Sequence, residues 1–500
     1  MTTSTVVRKN EYYDSVFLMR VADRIQSQPG VTQVAALMGT DANKQLLAEA
    51  GFDGADIARA GPNDLVVSVR SDGDASTLLA QLERWLSPET RPAVARAPSL
   101  DRALDGDPAA NLVAISVPGE HAGGEARRAL ERGAHVFLFS DNVPLEQEIE
   151  LKRYARERGL LLMGPDCGTA IVHGAAIGFA NAVRRGHVGV AGPSGTGMQE
   201  VTTQLHRLGG GVSHALGTGS RDLSDAVGGV STQVALEALE SDPETNAIVI
   251  VAKPPGPKTL ERIARAVAGR RKLVVACFLG TDPQRVSALG FEKVAGTLDE
   301  AAALALDTAP PASDLTAHVA SERSGRARTQ RYVRGLFAGG TFCYQAQQIF
   351  RDAGIASRSN APLAGDMKLA DVRRSVGHTF IDMGDDEFTR GRPHPMIDPR
   401  ERRARLLAEA RDPDVAVILL DFVLGYGASP DPAGGLAPAI RDAKEHARRE
   451  GRALSVVASV CGTEDDPQGL DVQERVLTDA GAVVLESAAA AARFALELVR

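Results

Sequence analysis

No apolar run in this chain approaches the roughly 20 residues that a membrane-spanning helix requires. The opening residues, MTTSTVVRKNEYYDS, lack the apolar core of a secretion signal. Cysteine is scarce: Cys167, Cys277, Cys343 and Cys461 are too few and too scattered for a disulfide framework or a zinc knuckle. There is no block of Lys or Arg; 56 basic and 64 acidic residues leave a net charge of −8, without the footprint of a nucleic-acid binder. Aromatics make up only 4% of the chain. These absences point to a soluble cytoplasmic protein with neither a membrane nor a nucleic acid as partner, and the cysteines offer no metal site.

What the chain has is glycine, 50 residues in 500, above the average of about 7%. Outside collagen-like or low-complexity sequence, this frequency implies many tight strand-to-helix turns, as in α/β proteins with backbone-lined ligand sites. At roughly 150 residues per domain, about three domains are expected. Two polar stretches, 87–110 and 309–330, rich in Pro, Ala, Ser and charge, read as linkers without a core of their own.

Before the first linker, 15–25, 43–50 and 75–85 carry helical spacing, while 31–38 and 65–70 read as strands, giving a small α/β module over 1–90. Its turns Gly39-Thr40-Asp41 and Gly61-Pro62-Asn63-Asp64 suit either binding or helix capping. From 111 to about 305 strands are predicted at 111–117, 134–139, 160–163, 187–191, 212–216, 247–252 and 272–278. Almost every one is a continuous apolar run, as for parallel strands buried on both faces. Helical stretches such as 145–158, 197–208 and 259–268 lie between them. A third segment repeats the pattern, with strands at 333–338, 378–382, 415–421, 453–458 and 482–485 and a helix over 341–353.

Two turns are richest in chemistry. In HVGVAGPSGTGMQEV a strand ends at Ala191, and Ser194, Gly195, Thr196 and Gly197 lead at once into a helix. Small residues let the backbone approach an anion, and the helix start offers unpaired N–H groups and partial positive charge. The alternative is a packing turn in which Ser194 or Thr196 only caps the helix. Gly335-Leu-Phe-Ala-Gly339-Gly340-Thr341 repeats the design. Two opposed helix starts could hold one dianion between them.

Other loops follow strands. Gly164-Pro165-Asp166-Cys167-Gly168 stands where a ligand-facing loop belongs; Cys167 has no His/Asp partner in sequence, so a structural role is favoured over a nucleophilic one. Ser140, Asp141 and Asn142 suit either ligand contact or capping. Arg390, Arg392 and His394 could clamp a carboxylate or phosphate. Asp385, Asp386 and Asp398 nearby suit Mg²⁺ or, more commonly, pairing with those arginines. Gly425-Tyr-Gly427 and Gly462-Thr463-Glu464 complete the strand-end loops of a flavodoxin-like sheet.

At these turns the sequence resembles the succinyl-CoA synthetase superfamily. GPDCG and HVGVAGPSGTGMQEV look like the α-subunit's CoA-binding and ligase regions, and Gly335 through Thr463 looks like the β-subunit ligase domain. The FdrA family is similar over nearly the whole length, through MGTDANKQLLAEAGF, SDNVPLEQEIELK, GLLLMGPDCGT, GRPHPMIDP and GTEDDPQ. The resemblance implies a multidomain α/β chain: the small module, a Rossmann-like CoA-binding-type domain at 111–183, and flavodoxin-like ligase-type domains at 184–308 and 331–500.

The ligase reaction itself transfers poorly. The family's phosphorylated histidine would lie in GTDPQRVSALGFEKVAG, but no histidine occurs between His214 and His318. The glutamate that steadies it is matched by position to Lys253, and no ATP-grasp segment is present. FdrA proteins resemble subunits of oxamate carbamoyltransferase, which implies carbamoyl phosphate as substrate, other subunits as partners, and a role in allantoin (purine) catabolism. The expected roles are Lys253 as catalytic residue and Ser194–Gly197 with Gly339, Gly340 and Thr341 as the phosphate site. Arg390, Arg392 and His394 would take a substrate carboxylate; Ser140, Asp141, Asn142, Pro165, Asp166 and Cys167 would take a CoA-like or nucleotide-like ligand. CoA or Mg²⁺ could take part. The alternatives are a CoA-thioester ligase and a non-catalytic assembly subunit.

Overall fold

The computed structural model describes residues 2–86 except 12, 14 and 27, then 97–310 and 316–500 except 391. Parts of both expected linkers, 87–96 and 311–315, lie outside the described residues. The described chain forms two compact units, one of residues 1–96 with 389–393 and one of 97–388 with 394–500. No described helix is long and apolar enough to cross a membrane.

The first unit holds a three-stranded antiparallel sheet in the order Thr2–Arg8, Leu65–Ser71, Val31–Met38. The central strand, LVVSVRS, is buried on both faces because alternate residues point opposite ways. Leu65, Val67 and Val69 join Leu18, Val21 and Ile25 of the helix Ser15–Gln26, while Val66 joins Leu47, Phe52 and Ile57 on the other side. The strand Thr2–Arg8 was not legible in the sequence. The helix expected at 75–85 is two short ones, Ala75–Leu79 and Leu82–Leu86.

The second unit contains three sheets. The parallel strands Leu112–Ile115, His135–Leu138 and Leu162–Met163 make the smallest. A seven-stranded sheet runs Lys293–Val294, Leu273–Phe278, Ala247–Ala252, Arg185–Gly192, Val212–Gly217, and then the hairpin Thr169–Val172/Ala175–Gly178. That hairpin, antiparallel to Val212–Gly217, carries the sheet back across the expected 183/184 boundary. The third sheet is wholly parallel: Arg358–Ser359, Thr379–Asp382, Tyr332–Phe337, Val415–Val423, Ser455–Cys461, Ala482–Leu485.

In each large sheet the strand that opens the βα run lies in the middle, and later strands add on both sides. Arg185–Gly192 has Val212–Gly217 on one flank and Ala247–Ala252 on the other; Tyr332–Phe337 lies between Thr379–Asp382 and Val415–Val423. The carboxyl ends of these strands are therefore topological switch points, where the flanking connections diverge and leave a crevice. One continuous core joins the two sheets, including Val190 and Val251 from one, Phe337 and Phe380 from the other, and Val201, Phe342 and Phe350 from the helices between them.

The helix Gly195–Arg207 runs through that interior, with every residue from Gly197 to His206 buried. Its polar side chains find partners in the loops that follow two strands of the facing sheet: Gln204 and Arg207 donate to the Glu486 carbonyl at 2.8 Å, and His206 Nε2 meets Glu464 at 2.8 Å. Both expected linkers hold helices where they are described, Leu100–Gly106 and Thr316–Arg323. Few apolar residues are needed there, because charged side chains dock them. Arg132 pairs with Asp101 and Asp105, and Arg326 donates to the Leu498 carbonyl.

Candidate functional site

Both glycine turns sit at the switch points. At Gly192 φ is +151°, and a Cβ would stand 2.0 Å from the Val251 carbonyl oxygen, so only glycine lets the chain leave the sheet there. Ser194 then occupies the N-cap position of the helix Gly195–Arg207, and Gly339 that of the helix Gly340–Asp352, neither with a side-chain cap bond. Instead, Ser194 Oγ and Thr341 Oγ1 are hydrogen-bonded to each other at 2.7 Å, both buried. The two helix starts thus converge. A Cβ on Gly197 would lie 2.3 Å from Ser194 Oγ and 3.0 Å from Thr341 Cγ2, so the approach depends on glycine. Gly195, Thr196 and Gly340 form the partly exposed rim.

Not all the backbone donors at these turns are free. Asp421 accepts from the N–H groups of Ala338 and Gly339 at 2.8 Å each, one per carboxylate oxygen. Arg402 pairs with the same carboxylate at 2.9 Å and donates to the Leu336 carbonyl, all of it buried. Burial pushes the Asp421 carboxyl up, and the guanidinium and the two N–H groups pull it down. The N–H groups of Gly195, Thr196, Gly197, Gly340 and Thr341 meet no protein acceptor among the described residues. Sequence reasoning missed Asp421, although one acid inside the otherwise apolar strand VAVILLDFV was a signal.

Lys253 follows the strand Ala247–Ala252, is exposed, and carries its Nζ 5.8 Å from the Tyr344 ring centroid. Its charge also reaches Asp382, at the end of Thr379–Asp382, whose carboxyl burial pushes up to about 6 while Lys253 and the Gly384 N–H oppose the rise. A Cβ on Gly340 would stand 2.3 Å from Asp382 Oδ2. Asp382 is thus beside the helix start, a role not assigned to it from sequence.

Ser140, Asp141, Asn142, Pro165, Asp166 and Cys167 come together in a second place. Asp166 N–H donates to the Ser140 carbonyl at 2.9 Å and Cys167 N–H to that of Leu138 at 3.2 Å. Asn142 and Asp166 have φ of 55° and 56°. Burial raises the Asp166 carboxyl, with Asp141 and Asp386 adding to the rise. The Cys167 thiol, fully buried, is pushed up to about 12 and stays protonated. The nearby helix Gly119–Glu131 starts against the backbone of this loop. A Cβ on Gly119 would stand 2.2 Å from the Asp141 carbonyl oxygen, and Glu120 occupies the first turn.

Arg390, Arg392 and His394 are divided between the units: both arginines belong to the first and His394 to the second. Arg390 is exposed and Arg392 partly buried. Burial lowers His394 to about 4, leaving it neutral at pH 7; its Nδ1 accepts from the Met396 N–H at 3.2 Å.

A family described as CoA-ligase matches residues 336–498, and one described as CoA binding domain matches 183–280. The latter falls on the seven-stranded sheet rather than on 111–183. A third, described as AllF, heavy metal-associated domain, matches 1–99. That segment contains neither cysteine nor histidine, so it offers no thiolate or imidazole ligand. Among the described residues there is no group of His, Cys, Asp or Glu suited to a metal ion.

Uncharacterized protein YahF of Escherichia coli K12 is 40% identical over 509 residues, spanning 100% of this chain and 99% of YahF. The ADP-forming sulfoacetate-CoA ligase subunit SauD of Bilophila wadsworthia is 28% identical over 33% of this chain and 57% of its own. The succinate–CoA ligase [ADP-forming] subunit alpha of Staphylococcus epidermidis is 30% identical over 29% of this chain and 48% of its own. The alignments with these two ligase subunits thus span about half of each.

Proposed function

The chain belongs to the FdrA-type, succinyl-CoA-synthetase-like family, and on that premise we propose that it is a subunit of an oxamate-type carbamoyltransferase. The observation that carries this reading is the 2.7 Å contact between Ser194 and Thr341, which brings two helix starts with free N–H groups to one place. Such a place stabilises the phosphoryl end of carbamoyl phosphate, and Lys253 adds a positive charge at its edge. The acceptor nitrogen attacks the carbamoyl carbon; a C–N bond forms, the C–O bond to phosphate breaks, phosphate leaves with the electron pair, and the proton lost by the nitrogen ends on that phosphate as monohydrogen phosphate. Chemistry of this kind calls for positioning and charge stabilisation rather than a covalent nucleophile. The absence of histidine between 214 and 318, where a phosphohistidine would stand, agrees with transfer from a free phosphorylated donor. SauD and the succinate–CoA ligase α chain are named as subunits, which supports a partner chain that completes the site and presents the acceptor.

The test is reconstitution with candidate partner subunits and carbamoyl phosphate. Turnover is expected, and Lys253→Ala should lower it by about 10²-fold, the scale of losing one charge-stabilising group. Unchanged turnover in that variant removes Lys253 from the chemistry; no turnover with any partner favours an assembly role. The second reading, a CoA-thioester ligase, is favoured by the CoA-ligase and CoA-binding matches. It predicts that CoA at 100 times its Kd stabilises the chain by about 2.7 kcal/mol. A melting temperature unmoved by CoA counts against it.

A further inference from the structure

Asp382 is only 7% exposed. Its backbone N–H and carbonyl are both held by the Asn360 side chain at 2.9 Å, and its Oδ1 accepts from the Gly384 N–H at 3.0 Å. Oδ2 accepts from no described residue. It faces the first residue of the helix Gly340–Asp352, 2.3 Å from where a Gly340 Cβ would be. A buried acceptor with one oxygen left over, set beside unpaired N–H donors, is a second feature aimed at the same space.

The charged and titratable groups around it come from every side. Lys253 follows the strand Ala247–Ala252, Asp385 is in the same loop as Asp382, and Asp421 is on Val415–Val423, which lies beyond Tyr332–Phe337 in the same sheet. Asp421 is already neutralised by Arg402. Cys343, on the Gly340 helix, stays a thiol, and His394 stays neutral, its Nε2 beside the position of a Gly384 Cβ. Among these described groups, Lys253 is thus the one cation that is not already paired with a carboxylate.

A bare carboxylate next to a bare dianion is repulsive. The arrangement becomes favourable when one proton lies between them. We propose that Asp382 shares a single proton with the anion bound at the two helix starts, and that this makes the cradle selective for monohydrogen phosphate, the leaving group of the proposed transfer, over sulfate. Monohydrogen phosphate brings the proton itself and donates it to Asp382 Oδ2. Sulfate has none to give near neutrality and binds only once the carboxyl is protonated. This inference rests on the anion cradle read above and adds the residue that selects its occupant.

The experiment uses the full chain and two probes, inorganic phosphate and sodium sulfate, titrated calorimetrically at pH 8 and pH 5. At pH 8 phosphate should bind at least about 10-fold more tightly than sulfate, the cost of a charged group left facing an unpaired charge. At pH 5 sulfate should gain and the ratio should shrink. Asp382→Asn, nearly the same shape with an N–H to offer either anion, should bring the two affinities within about 3-fold at both pH values. Equal affinities in the unaltered chain at pH 8, or a preference that persists in the Asn variant, overturns the role of Asp382. Failure of both anions to bind overturns the cradle itself, and with it the carbamoyltransferase reading. The pH comparison in the unaltered chain does not depend on any variant folding.

Discussion

Asp421 shows how one residue sets the chemistry open to its neighbours. By taking the N–H groups of Ala338 and Gly339, it leaves only the helix start of the second turn to a ligand, at Gly340 and Thr341. Arg402 offsets that buried charge, and the pair is sealed from water. Removing one partner strands the other, so Asp421→Ala is expected to lower stability by about 3–5 kcal/mol, read as a fall in the urea midpoint. A loss under about 1 kcal/mol would mean that water reaches Arg402. The glycines and hydroxyls of both turns were legible because they are contiguous with the strand and helix they join. The acids were not: Asp421 is some eighty residues beyond the turn it caps, and Asp382 about forty, so only the parallel sheet brings them back.

At the scale of elements, strands such as Val31–Met38, Ala247–Ala252 and Ala482–Leu485 were legible to the residue, because burial on one or both faces writes itself into apolar runs. Thr2–Arg8 was not, since TTSTVVR is an edge strand with little apolar content, and the hairpin over 169–178 is too short and glycine-broken to show a period. Sequence could suggest that the two helix starts converge, but their meeting depends on how two sheets share a core, which no local pattern encodes. Gly197 is where that convergence is most exposed to test. Alanine is a better helix former, yet its Cβ would fall 2.3 Å from Ser194 Oγ and 2.9 Å from Val251 Cγ1. Gly197→Ala should therefore cost about 1–3 kcal/mol by overpacking and weaken phosphate binding, because the hydroxyls must part. A variant as stable as the parent, with unchanged phosphate affinity, would show that the helices can slide without loss.

Across the whole molecule, the resemblance that covers nearly the full length tells more than any one turn, while the partition into compact units is a property of contacts that no sequence pattern states. The distribution of cysteine gives a way to observe the second unit alone. All four thiols lie within it, none in the first 99 residues, and all are buried. Burial raises Cys167 to about 12 and pushes the other three well up as well, so thiolate, the reactive form, is nearly absent near pH 8. Labelling by an aromatic disulfide reagent must then await opening of the unit that holds them. The native chain is expected to show no rapidly reacting thiol, and four should react at once in concentrated urea. Because Cys277, Cys343 and Cys461 belong to one core that joins both large sheets, they should become reactive together as urea rises. Cys167, in a separate cluster with Phe137 and Met163, is the one free to expose earlier. A thiol that reacts rapidly under native conditions would restore Cys167 as a candidate nucleophile, and staggered exposure of the other three would show that the two sheets do not open as one body.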